Sequence, residues 1–276
     1  MNARVAGINT YSYIWSHPIR ECLAGLAALG YRQFEGVINP PHLDLDTSPQ
    51  ARREIVALMR GEGLSFTSLN LPSLDTNLAS PFADTRAYSV GMFKKAIVLA
   101  AELHASCLVT VPGRLSPLLA PARALSRAWV QDTVQTLVPY AREHGVKLAI
   151  ENVPFAALPT ARDIGDFLDE MGNGDVLCAC YDAANAHFIG EALHDGVRSL
   201  AGRIALLHCS DTTRTAWRHD PIGKGDVPFG QLAAALGAQA YAGPILLEII
   251  DQDAQASIVQ SHDALAGAGV VAPREG

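Results

Sequence analysis

One pattern constrains this chain more than any other: a short aliphatic or β-branched run, a turn rich in Gly, Pro, Asn or Asp, and a longer stretch with apolar residues three and four apart, repeated eight times along 276 residues. The runs predict strands over Arg4–Asn9, Gln33–Val37, Ser65–Leu69, Ser106–Val111, Lys147–Glu151, Leu177–Asp182, Ile204–His208 and Ile245–Ile249. Helices are expected over Pro18–Leu29, Pro49–Glu62, Thr85–Leu103, Leu125–His144, Ala161–Met171, Ala192–Leu200, Phe229–Leu236 and Ala254–Gly267. Strict alternation of strand and helix gives a parallel sheet covered by helices, and eight units favour closure into a (β/α)8 barrel, read as one α/β domain over 1–276. Neither G-x-G-x-x-G after the first strand nor G-x-x-x-x-G-K-[ST] occurs, so the usual nucleotide signatures of open sheets are missing.

A barrel must fill its own interior, and a composition 49% hydrophobic and only 18% charged supplies the aliphatic side chains for it. The net charge of −7, with Lys and Arg scattered, offers no basic stripe for a phosphate backbone and argues against a nucleic-acid partner. The first residues lack the basic and apolar regions of a secretion signal, and no apolar run approaches about 20 residues; the expectation is a cytoplasmic protein without a membrane partner. Of the cysteines Cys22, Cys107, Cys178, Cys180 and Cys209, three fall in expected strands and Cys209 directly follows one, which suits buried thiols better than a disulfide framework or a C-x-C metal pair.

Chemistry in such barrels gathers at the C-terminal ends of the strands. There the sequence places Glu151 in KLAIEN, Asp182 in CACYDAAN, His208 in IALLHCSD and Glu248 in ILLEII, on four consecutive expected strands. Three carboxylates buried together cost several kcal/mol unless a cation compensates them. The set is hard and oxygen-rich, suited to one divalent metal, Mn²⁺ foremost, with Mg²⁺, Co²⁺ or Zn²⁺ as alternatives.

Five stretches together resemble the xylose isomerase-like barrels, which include sugar isomerases, ketose 3-epimerases, inosose dehydratases and endonuclease IV: LAIEN ending at Asn152, YDAANAH at 181–187, HCSDTTR at 208–214, IGKGDVPF at 222–229 and LLEI at 246–249. In the epimerases of that group the four strand-end residues hold one metal, and the two Glu act as acid and base. The resemblance therefore implies those roles for Glu151 and Glu248, and a substrate contact for Arg214, six residues after His208. The epimerase His three residues after the metal-binding Asp is Asn185 here, with His187 as the nearby imidazole that would replace it. Endonuclease IV adds histidines for further metals, and the counterparts here are Asn70, Val111 and Trp217, with only His219 retained.

The implied activity is an isomerase or epimerase acting on a small ketose or related polyhydroxy carbonyl compound through an enediolate, with a dehydratase of a keto-inositol or a non-catalytic sugar-binding barrel as alternatives. Glu35 and His219 are further expected substrate contacts, and a homo-oligomer is compatible with an acidic barrel in an apolar helical shell.

Overall fold

Alternate residues of a strand face opposite sides of a sheet, so a closed sheet has two cores, one inside the ring and one outside. The computed structural model describes residues 5–274 and shows this arrangement. In chain order the strands are β1 (Gly7–Asn9), β2 (Gln33–Val37), β3 (Ser65–Asn70), β4 (Cys107–Thr110), β5 (Lys147–Glu151), β6 (Leu177–Asp182), β7 (Ile204–Cys209), β8 (Asp211–Thr213), β9 (Ala216–Asp220) and β10 (Ile245–Leu247). All but β8 and β9 pair in parallel around the closed order β1-β10-β7-β6-β5-β4-β3-β2, giving the expected (β/α)8 barrel. Strands β8 and β9 form a separate antiparallel hairpin after β7.

The surrounding helices are α1 (Ile19–Ala28), α2 (Pro49–Gly61), α3 (Ala83–Glu102), α4 (Arg123–Glu143), α5 (Ala161–Met171), α6 (Ala183–Phe188), α7 (Leu193–Ser199), α8 (Phe229–Ala238) and α9 (Ala254–Gly267). Local chemistry fixes several starts. Ser48 accepts the Ala51 N–H ahead of Pro49 in the first turn of α2, and Thr160 and Asp163 make a reciprocal capping box on α5. Among the described residues no helix is long and apolar enough to cross a membrane.

The outer core joins outward strand residues such as Phe34, Leu108, Leu148, Ile150 and Leu207 to Leu23, Ile97, Val134 and Phe167 from the helices. The inner core is a small plug of Cys107, Val109, Ala149, Cys178, Cys180, Leu206 and Leu246. The five cysteines are free and buried, as the core reading expects. Two residues further along their strands, on the same inward face, stand Glu151, Asp182, His208 and Glu248. Pleat parity thus sets the polar layer directly above the apolar plug.

Some expectations shift. The first strand begins at Gly7, and Arg4 lies outside the described residues. The last strand ends at Leu247 instead of Ile249, although the Glu248 N–H still donates to Cys209 O at 3.0 Å. The short helix α6 and the β8–β9 hairpin are additions that hydrophobic periodicity does not reveal.

The plug leaves no spare room at Gly7, where a Cβ would sit 2.4 Å from Leu246 Cδ2 and 3.0 Å from Gln33 O. Gly7→Ala should therefore destabilise the barrel by about 1–3 kcal/mol through overpacking. Combined with Leu246→Ala it should cost less than the sum of the two single changes, read from thermal melting. Strict additivity would contradict this account of the lumen.

Candidate metal centre

The inward parity of β5, β6, β7 and β10 brings Glu151, Asp182, His208 and Glu248 together at the C-terminal end of the barrel. One donor atom from each lies within 4.8 Å of the others, and all four residues are buried. Asp182 is held from both sides. Asn152 accepts its N–H at 2.8 Å and donates to its carbonyl at 2.9 Å, locking the end of β5 to the end of β6. Asp182 Oδ1 accepts the Asn185 N–H at 2.5 Å and caps α6, which leaves Oδ2 for the site.

His208 stands at the centre, fully buried. Its Nε2 faces Glu35 at 3.1 and 3.2 Å, while Nδ1 faces Glu151 Oε1 and Glu248 Oε2, each at 3.2 Å, and Asp182 Oδ2 at 3.9 Å. An Nε2–H donated to Glu35 fixes the tautomer that turns the Nδ1 lone pair toward the carboxylates. Glu35 is itself pinned by Asn9 Nδ2 at 2.6 Å, Ser68 Oγ at 2.5 Å and Asn70 Nδ2 at 3.0 Å. It was expected at the substrate; the structure places it with no exposed surface, beneath the cluster, as the group that orients His208.

Burial is the largest influence on Glu151 and raises its pKa, aided by Asp182 and Glu35 and opposed by His208. Burial likewise pushes Asp182 from an ordinary 3.8 up to about 6, with the Glu248 charge adding to it and His219 and His208 opposing. For Glu35 burial is outweighed by the charge of His208 and by hydrogen bonds from His208, Ser68 and Asn70, so its pKa falls. For His208 burial opposes the charged form, yet Cys180, Glu35 and Glu248 outweigh it and its pKa rises. Asp182 Oδ2 and Glu248 Oε2 are buried without a hydrogen-bond partner. Orphaned carboxylate oxygens aimed at one point, with the imidazole Nδ1 beside them, fit a divalent cation, which would replace the proton there. Cys180, which lies close to Glu151 and His208, is kept a neutral thiol by burial and belongs to the plug.

The remaining expected residues divide. His219, on β9, reaches the cluster, with Nδ1 3.3 Å from Glu248 Oε2 and 2.9 Å from Ser210 Oγ. His187 does not: its buried ring is held by Asp226 Oδ1 at 2.7 Å, tying α6 to the loop before α8. Arg214 is exposed at the turn of the β8–β9 hairpin, its guanidinium against Gly190. Sequence reasoning missed Asn9 and Ser68 and met Asn70 only as the counterpart of an endonuclease histidine; the signal of all three is a polar residue at inward parity in an apolar strand. It also missed Asp211, whose carboxylate accepts the Gly223 and Val227 N–H groups at 2.7 and 3.1 Å and shapes the IGKGDV loop.

Glu35→Gln should lower Mn²⁺ affinity by about 10- to 100-fold, because the imidazole loses its orienting partner; unchanged affinity by titration calorimetry would contradict the role. The raised pKa of Asp182 gives a second expectation with a definite sign. Without metal, the fold binds more protons than the unfolded chain between about pH 4 and 6, so this contribution to stability is lost as pH rises through about 6. A cation must displace those protons, so the Mn²⁺-induced rise in melting temperature should grow from pH 5 to 7.5. A shift independent of pH would count against the cluster as the binding site.

The fold has known counterparts. A D-tagatose 3-epimerase-like protein superposes with a TM-score of 0.80 at 21% identity, over 96% of this chain and 99% of that one. D-psicose 3-epimerase from Clostridium cellulolyticum H10 gives 0.77 at 17%, over 96% of both chains. The E. coli 3-keto-D-glucoside 4-epimerase gives 0.76 at 18%, over 96% of this chain and 98% of that one. In sequence, the chain is 26% identical over 185 residues to the "Probable endonuclease 4" of Mycobacterium tuberculosis (strain CDC 1551 / Oshkosh), covering 64% of this chain and 70% of the relative. The family model described as xylose isomerase-like TIM barrel matches residues 23–268, and this chain belongs to that family.

Proposed function

We propose that the protein is a divalent-metal-dependent isomerase or epimerase of a small ketose or related polyhydroxy carbonyl compound, with Glu151 and Glu248 moving the proton. The observation that carries this reading is the convergence of Glu151, Asp182, His208 and Glu248 with two buried, unpartnered carboxylate oxygens among them. These four residues would hold the cation, which supplies Lewis acidity to a substrate carbonyl and offsets the charge of an enediolate.

The chain's own groups account for the rest. Glu151 and Glu248 come from strands separated by β6 and β7 in the ring, so the cluster offers carboxylates from two directions. Burial raises the pKa of Glu151 above the ordinary carboxylate value, the direction that suits a carboxyl group that both takes and returns a proton. Glu248 keeps Oε2 free of hydrogen bonds, while Asn9 donates to Oε1 at 3.1 Å and fixes the plane of the carboxylate. His219, 3.3 Å from Glu248, is placed to touch a substrate hydroxyl bound there. Return of the proton to the opposite face gives an epimer, return to the neighbouring carbon gives an aldose–ketose pair, and loss of a β-hydroxyl gives a dehydratase product.

The solved neighbours named as a D-tagatose 3-epimerase-like protein, a D-psicose 3-epimerase and a 3-keto-D-glucoside 4-epimerase support the carbonyl-sugar reading. The curated relatives are named as probable endonucleases, but two of the positions at which the resemblance to endonuclease IV would put further metal ligands are otherwise engaged here. Asn70 donates to Glu35, and Trp217 donates to Asn185 Oδ1 at 2.7 Å.

Incubation with Mn²⁺ in D₂O, followed by NMR of a ketose and oxo-polyol panel, should show deuterium entering beside a carbonyl. Glu151→Gln and Glu248→Gln should each slow that exchange by about 10²-fold or more. Sugar binding without exchange on any member of the panel would overturn the enzyme reading in favour of a non-catalytic sugar-binding barrel.

A further inference from the structure

Beside the metal cluster lies an aromatic surface that proton transfer does not employ. Trp217 on β9 sits two residues before His219, on the same face of the hairpin by strand alternation, with ring centroids 6.3 Å apart. His219 in turn is 3.3 Å from Glu248. Phe188, at the end of α6, stacks on the indole at 6.4 Å and 29°, and Phe155, in the loop after β5, meets the indole edge-on at 6.0 Å. Trp217 and Phe155 nonetheless remain 42% and 46% exposed.

Two features set these rings apart from ordinary packing. The indole N–H is already donated to Asn185 Oδ1 at 2.7 Å, so Trp217 is fixed in orientation and offers a partner its π-face instead of a hydrogen bond. Phe155 has a φ of 61°, in the left-handed region that a turn ordinarily fills with Gly or Asn. The strained backbone is clamped by the Leu115 N–H, which donates to Phe155 O at 2.7 Å. A bulky ring kept in a strained backbone at the rim of a site points to contact with a ligand.

We propose that Trp217, Phe155 and Phe188 form a subsite for a second ring, so that the site takes a glycoside-like compound. Its carbonyl-bearing unit would reach the Glu, Asp and His cluster while an attached pyranosyl or aryl ring rests on the indole. Both kinds of ring present an apolar C–H or π face of the size of an indole, and neither needs the N–H that Asn185 occupies. Arg214, exposed at the turn of the same hairpin, is available to the hydroxyl-bearing edge. The inference rests on the proposed function for what happens at the cluster, but ring binding itself requires no turnover.

Titration calorimetry of the full chain with phenyl β-D-glucopyranoside, cellobiose and methyl β-D-glucopyranoside tests it directly. At least one of the two-ring probes should bind about tenfold more tightly than the methyl glucoside, and which one does so tells aryl from sugar. Trp217→Ala should abolish that advantage and Trp217→Phe should keep part of it. Phe155→Ala, which leaves the hairpin untouched, should weaken the advantage with Mn²⁺ affinity intact. Equal affinity for all three probes, or an advantage that survives both alanine variants, would overturn the subsite. A ring preference in a protein that exchanges no deuterium would leave the subsite standing and remove the epimerase reading; exchange on bare ketoses with no ring preference would do the reverse.

Discussion

The arrangement on which the centre depends is the suspension of His208 across the barrel lumen, with Nε2 hydrogen-bonded to Glu35 of β2 on one side and Nδ1 facing Glu151 and Glu248 on the other. Its Glu35 side joins β7 to β2, strands that are not neighbours in the ring, in a fully buried volume, and it sets which imidazole nitrogen faces the carboxylates. Without the Glu35 side of it, the lone pair of Nδ1 would have no fixed direction. Without the carboxylate side, a fully buried imidazole would face an apolar plug.

The chain divides the work by position. Strands β1, β2 and β3 supply Asn9, Glu35, Ser68 and Asn70, a network of neutral donors around one carboxylate, whose pKa is lowered by the charge of His208 and by hydrogen bonds from His208, Ser68 and Asn70. Strands β5, β6, β7 and β10 supply the oxygen and nitrogen donors, of which Glu151 and Asp182 have raised pKa values because burial and like charge outweigh their partners. A pH-neutral way to relieve that arrangement is a bound cation, since protonating each carboxylate would remove the charge that drew the donors together. The aromatic rim of Phe155, Phe188 and Trp217 then borders a centre whose ligands come from rigid strand ends while its walls come from loops and the hairpin, the usual division between a fixed scaffold and variable specificity.

Much of this was legible in the sequence because it follows from periodicity. The inward period of two that puts Ala149 before Glu151, Cys180 before Asp182 and Leu206 before His208 is visible as text, and it carries both the barrel and the convergence of the four donors. What was not legible lacks a period. The hairpin DTTRTAWRHD alternates nothing apolar against polar, α6 is a single capped turn and a half, and Glu35 reads as a stray acid until Asn9, Ser68 and Asn70 are seen around it. Arg214 and His187 were expected from the family resemblance, and a sequence offset says nothing about a hairpin turn or an Asp226 that arrives from another loop.

The most direct test of the account is the metal content of the purified chain, by mass spectrometry before and after equilibration with Mn²⁺ and removal of the free ion. The account predicts one divalent ion per chain, retained by the native sequence and lost on Asp182→Ala. A chain that retains no ion after Mn²⁺ loading, or that holds one equally well without the Asp182 carboxylate, would contradict it.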